Sequence, residues 1–186
     1  MPNPSFTDRL QRNLARRPLR RIEPPEGAAR AAVMAVLRNR RDDVDLCMIK
    51  RSHHPLDRFS GHIALPGGAE EDGDEDMLST AVRETFEEIG LDVEKHAKVA
   101  GRLDDEMPSV PPGGTGRVYV VTPFVCVLTG DAAVREKSEV EQVFWMPASD
   151  IARGAEDGAK PEFLCRGRRI WGMTARVVRN LLEALP

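Results

Sequence analysis

Four residues within a six-residue stretch, Arg83, Glu84, Glu87 and Glu88, have the types and the spacing to do chemistry. At about 100° per residue, positions 84, 87 and 88 share one face of a helix. Three carboxylates on one face repel each other, by roughly a few tenths of a kcal/mol per pair. Arg83 reaches Glu87 at i+4, but one cation does not neutralise three acids, and Glu70, Glu71, Asp72, Asp74, Glu75 and Asp76 add more negative charge upstream. A hard divalent cation would. Mg²⁺ takes oxygen ligands, usually one or two carboxylates completed by waters and substrate phosphates, so this face reads as half of a metal site. The alternative is a solvated acidic helix.

The elements that must hold these residues follow from the same stretch. Leu78, Val82, Phe86 and Ile89 gather on nearly the opposite face and are expected to lie on a core. Ahead of the helix, Pro66-Gly67-Gly68 reads as a glycine-rich turn.

The run from Leu65 to Leu91 resembles the signature of the Nudix hydrolases, G-x5-E-x7-R-E-U-x-E-E-x-G-U, where U is a bulky apolar residue. The second half matches at Arg83, Glu84, Glu87, Glu88, Gly90 and Leu91, with Thr85 smaller than usual at the first U. The first half departs: position six from Gly68 is Asp74, and counting back from Arg83 places Ala69 where the glycine belongs. The loop is therefore one residue longer. The resemblance implies a hydrolase of nucleoside diphosphates linked to another group, working with Mg²⁺ or Mn²⁺. It assigns Glu84 and Glu88 as principal metal ligands, Glu87 as ligand or aligner, and Arg83 as the group that holds the glutamates. It also assigns the Gly67-Gly68-Ala69 backbone to the metal and substrate side. Members differ in which carboxylate acts as general base; Glu139 is a candidate here, and a metal-bound hydroxide needs no separate one.

Lys50-Arg51-Ser52-His53-His54 and then Arg58, Gly61 and His62 bring cations to the approach of that site, and Arg51 and Arg58 are the expected phosphate contacts. The histidines read equally as a solvated loop pair. Arg51-Ser52 through Arg58 and Gly61 to Leu65-Pro66-Gly67-Gly68 resembles the additional motif of the coenzyme A pyrophosphatase branch, R-[SA]-x3-R-x3-G-x3-F-P-G-G. Here five residues separate Ser52 from Arg58, two separate Arg58 from Gly61, and Leu65 stands for Phe. A tail like Ile170-Trp171-Gly172-Met173-Thr174 also occurs in that branch. The implied substrate is coenzyme A or its acyl derivatives, with ADP-ribose or a nucleotide sugar as the alternative, and a non-catalytic nucleotide-sensing domain as a third.

The whole chain bounds the rest. Its 186 residues suit one domain, read as an N-terminal helix and basic extension over 1–30 and a Nudix domain over 31–186. A net charge of −3 offers no general attraction to nucleic acid or anionic membranes. No apolar run approaches membrane-spanning length, the first residues lack a signal-peptide core, and Cys47, Cys126 and Cys165 read as buried thiols of a cytoplasmic protein. The expected partner is a small nucleotide substrate. Arg16, Arg17, Arg20 and Arg21 read as a solvated cluster, with an anionic substrate or a second copy in a homodimer as the other readings.

Residues 6–14 are expected to be helical, capped by Ser5 or Thr7. Segments 31–37 and 44–49 should pair as a hairpin. Further strands are expected at 99–103, 118–122, 124–128 and 139–147, with Pro123 at a bulge or edge. Residues 104–117 read as a lid or cleft wall, or as a hairpin tip. Glu136, Glu139 and Glu141 offer another carboxylate, a short helix begins at 149–151, and 154–160 is a polar loop. A final helix carries Met173, Val177, Leu181 and Leu185 as its packing stripe. These elements argue layered α/β or α+β, which the resemblance sharpens to an α/β/α sandwich with a central mixed sheet and a C-terminal helix.

Overall fold

The computed structural model describes residues 4–53, 61–108, 118–137, 140–156 and 160–186. Strand β1 (Ala29–Asn39) is its axis: apolar and small residues bury seven consecutive positions, Ala31 to Leu37, as expected of a strand covered on both faces. It pairs in parallel with β6 (Tyr119–Leu128) over nine positions and antiparallel with β2 (Val44–Arg51) at the hairpin end. At its other end it pairs with β4 (Gly67–Ala69), because β2 has diverged there to meet β3 (Ile63–Ala64) and β7 (Val140–Pro147). Strand β5 (Ala97–Arg102) closes the far side against β6. The result is one mixed seven-stranded sheet.

Helices cover both faces. Alternate residues of β1 go to opposite layers: Ala32, Met34 and Val36 meet α2 (Met77–Ile89) and α3 (Val93–His96), while Ala31, Val33, Ala35 and Leu37 meet the other layer. That second layer contains α1 (Phe6–Arg16), α4 (Ala148–Arg153) and α5 (Gly172–Ala184), together with a small hairpin of β8 (Phe163–Cys165) and β9 (Arg168–Ile170). The sandwich and C-terminal helix expected from the sequence are present. Among the described residues no helix is long and apolar enough to cross a membrane.

Several expectations need correction. Segments 118–122 and 124–128 are one strand running through Pro123. The missing N–H does no harm there: Leu103 donates to the Pro123 carbonyl on the β5 side, where the ladder is interrupted between Arg102–Phe124 and the isolated Glu106–Val121 bridge. The basic cluster is only partly solvated, since Arg17 binds the Asn180 carbonyl and side chain of α5, and Arg20 binds the buried Glu106. The start of the 104–117 loop is no lid: Asp105 and Glu106 are buried against Arg102, Thr122 and Arg176. Residues 109–117 of that loop lie outside the described residues. All three thiols are buried, and burial pushes Cys47 and Cys126 up to about 12.

Candidate active site

Helix α2 forms because local signals agree. Asp76 caps its N-terminus by accepting from Ser79 N–H at 2.8 Å, and Gly90 ends it in the left-handed conformation. Its buried stripe is Met77, Ala81, Thr85 and Ile89, at i, i+4, i+8 and i+12. This corrects the expected apolar face: Leu78 and Val82 are only partly buried at its side, and Phe86 is 50 % exposed, with Lys137 Nζ 4.1 Å above its ring. The small residues are the reason. Ala81 and Thr85 let the helix lie close to the sheet, and Thr85 spends its hydroxyl on the Ala81 carbonyl at 2.6 Å.

That rotation carries Glu88 inward. Its side chain is 4 % exposed, and Oε2 accepts from Gly67 N–H at 2.9 Å. The glycine stretch is strand β4, not a free turn. Gly67 lies flat on β1, where a β-carbon would come within 2.6 Å of Val33 Cα. A β-carbon on Gly68 would collide with the Glu84 carboxylate. Gly67 therefore requires glycine for its close approach to the β1 backbone, while a side chain at Gly68 would displace the Glu84 carboxylate.

Arg83 ties the acids together. Its Nη1 donates to Glu84 Oε1 at 2.8 Å and Glu87 Oε2 at 3.2 Å, its Nη2 to the Ala69 carbonyl at 2.9 Å, and its Nε and Nη2 straddle Asp74 at 3.1 and 3.0 Å. Asp74 is a neighbour of these acids that the residue types alone did not single out. It also accepts from Thr80 Oγ1 and Glu71 N–H, and the Arg83 guanidinium holds its carboxyl well below the usual range. Reciprocally, Asp74 and then Glu84 raise Arg83 further above its ordinary value. Glu75, one residue late in the count from Gly68, is exposed. The signal for Asp74 was its place six residues after Gly68.

The structure thus gathers Gly67, Gly68, Arg83, Glu84, Glu87 and Glu88. Arg51 ends β2 opposite Val140, exchanging backbone hydrogen bonds with Gly61 and His62. Arg58 and Glu139 lie outside the described residues, as does His54. Of the other two acids near Glu139, Glu136 accepts from Val143 N–H and Glu141 pairs with Lys50. Lys137 N–H donates to the Glu88 carbonyl, so this segment docks on the end of α2.

Residues 28–166 match the NUDIX domain model. The chain belongs to the Nudix family. It is 30% identical over 189 residues to the uncharacterized Nudix hydrolase NudL of Shigella flexneri, covering 95% of this chain and 93% of that protein. An uncharacterized protein of Schizosaccharomyces pombe is 38% identical over 106 residues, but that match spans only 32% of its length. Among solved structures, the NUDIX domain of Shewanella oneidensis NrtR, complexed with ADP ribose, superposes with a TM-score of 0.61 at 17% identity, covering 87% of this chain and 91% of that one. A Caenorhabditis elegans Ap4A hydrolase binary complex gives 0.56 at 19%, covering 68% and 85%. At those identities the structural likeness speaks to the Nudix fold.

Proposed function

We propose that this Nudix hydrolase is a metal-dependent pyrophosphatase acting on coenzyme A or its acyl derivatives, releasing 3′,5′-ADP and (acyl-)4′-phosphopantetheine. The observation that carries the hydrolytic reading is the shelf of Glu84, Glu87 and Glu88 set against the Gly67–Gly68 backbone and bound together by Arg83. Coenzyme A rests on the segment from Arg51 to Gly68, which resembles the additional motif of that branch.

The donor chemistry fits Mg²⁺ or Mn²⁺: carboxylates at i, i+3 and i+4 and a nearby backbone kept free of side chains are hard oxygen donors of the kind these ions take. Among the described residues no three or more acidic, histidine or cysteine side chains are already placed together to hold a metal ion. Glu84 and Glu88 would hold the ion, with Glu87 at the outer edge. When bound, a divalent ion supplies charge neutralisation at the phosphoanhydride oxygens and activation of the attacking water. The chain's own residues supply position. Arg83 fixes the Glu84 and Glu87 carboxylates, Gly67 N–H fixes Glu88, and Gly68 leaves room for close approach, so little reorganisation is left for the reaction. Arg51 and Arg58 are proposed to bind phosphate, and Glu139 is a candidate general base.

The test is a competition among coenzyme A, dephospho-coenzyme A and ADP-ribose with Mg²⁺ or Mn²⁺, with products identified by mass. The expected result is preference for coenzyme A and a lower kcat/KM without the 3′-phosphate. Preference for ADP-ribose would overturn the coenzyme A reading and favour the second one, which the ADP-ribose-bound NrtR domain supports.

A further inference from the structure

On the face of the sheet away from α2, the ends of β2, β3 and β7 and the β8–β9 hairpin border an open cavity of about 390 Å³, lined by Lys50, His62, Gln142, Arg168, Arg169 and Trp171 among others. We infer that this cavity is a subsite for a phosphorylated nucleoside, with the base against Trp171 and its phosphate on Arg168. The inference rests on the coenzyme A reading above, in which the nucleotide end of the substrate carries a 3′-phosphate.

Two observations carry it. The first is an aromatic platform. Trp171 precedes α5 in an extended conformation and leaves 42 % of its surface exposed. The His62 ring meets it at 4.8 Å and 62°, edge to face, and the Arg169 guanidinium lies 5.5 Å from its centroid. The part of the indole that these neighbours leave exposed offers a flat surface on which a nucleobase can stack. The second is charge. Lys50 is paired with Glu141 and Arg169 with Glu162, whereas the Arg168 guanidinium, among the described residues, meets a neutral amide, Gln142 Oε1 at 3.0 Å, and the Phe144 ring at 4.3 Å. Among the described residues it forms no ion pair. A guanidinium fixed in place with its charge uncompensated is suited to a phosphate.

The location is compatible with one elongated substrate reaching both sites. His62 and Gly67 are five residues apart in sequence, so their α-carbons are separated by no more than about 18 Å. The hairpin also accounts for the side-chain arrangement: Arg166 and Gly167 turn it at φ 50° and 74°, which places Arg168 and Arg169 on the returning strand directly before Trp171.

Calorimetric titration of the whole protein in EDTA with 3′,5′-ADP and with 5′-AMP tests the subsite without turnover. The wild type is expected to bind 3′,5′-ADP more tightly than 5′-AMP. Trp171→Leu should weaken both by about tenfold, Trp171→Phe should recover most of that loss, and Arg168→Ala should remove the preference for the extra phosphate. Thermal melts check that each variant folds. Unchanged binding in Trp171→Leu and Arg168→Ala, or no binding by wild type, would overturn the subsite. The two readings fail separately. Coenzyme A turnover with insensitive variants removes the subsite alone, whereas variant-sensitive binding of 3′,5′-ADP without coenzyme A turnover keeps the subsite and removes the substrate reading.

Discussion

At the level of single residues, Glu84 and Glu88 have different supports, which separates their effects from those of Glu87. Glu88 is buried on a backbone N–H, Glu84 is mostly buried beside Gly68, and the Glu87 side chain is 55 % exposed. Glu84→Gln and Glu88→Gln should each lower kcat by at least two orders of magnitude with the fold intact, because the amide keeps an acceptor but loses the charge. Glu87→Gln should lose less than a decade. Steady-state kinetics beside circular dichroism settles this, and near wild-type turnover in either of the first two variants removes the site assignment. Asp74 makes a separate prediction in pH. The Arg83 hydrogen bonds depress its carboxyl, so the folded state gains stability from its ionised form at neutral pH and loses that gain as pH falls below the ordinary value of 3.8 towards the folded one. Asp74→Asn should therefore be less stable than wild type at pH 7, and the gap should close on acidification below that value. A constant gap in urea melts across that range would show that Asp74 acts through packing or geometry alone.

At the level of elements, what could be read in advance was whatever depends on neighbours in sequence. Helix α2, its carboxylate face and the Ser5 cap of α1 all belong to this class; Ser5 and Asp8 form a reciprocal capping box. The buried stripe of α2 was misread because it was sought among the largest apolar residues, whereas Ala81 and Thr85 are buried for their smallness. Strand β4 was hidden for a related reason: glycine is depleted in strands, and the backbone collision that Gly67 avoids with β1 is visible only in the fold. The β8–β9 hairpin had a readable turn signal in Arg166-Gly167, masked by charged flanks. Helix α1 falls in the N-terminal helix and basic extension read over 1–30, and its Leu10 and Leu14 belong to the main core cluster. Leu10 is fully buried, so Leu10→Ala should destabilise the whole protein by about 2–5 kcal/mol. For a chain of 186 residues that corresponds to roughly 4–20 °C in Tm. An unchanged single melting transition would show α1 to be an independent appendage.

At the level of the whole molecule, the parts illegible in the sequence are pairs distant along the chain. Arg20 and Arg176 converge on Glu106 from both ends of the protein, and Glu88 meets Gly67 across 21 residues. Neither pairing has a local pattern. The second links substrate chemistry to global stability, because the carboxylate shelf exists only when α2 lies on β1 and β4. Arg83 already relieves part of the repulsion among Glu84, Glu87 and Asp74, but its single charge faces several acids. A divalent ion that binds this assembled shelf and not the unfolded chain must stabilise the fold by mass action, about 2.7 kcal/mol at a hundred times its Kd. In a protein of this size that is a rise of roughly 5–11 °C in Tm. Mg²⁺ or Mn²⁺ added to EDTA-treated wild type should produce such a rise with no substrate present. The rise should shrink to a small fraction in Glu84→Gln and Glu88→Gln, while Glu87→Gln keeps most of it. An equal rise in all four proteins would place the ion elsewhere, and no rise in wild type would mean that the shelf requires substrate phosphates to complete its ligand set.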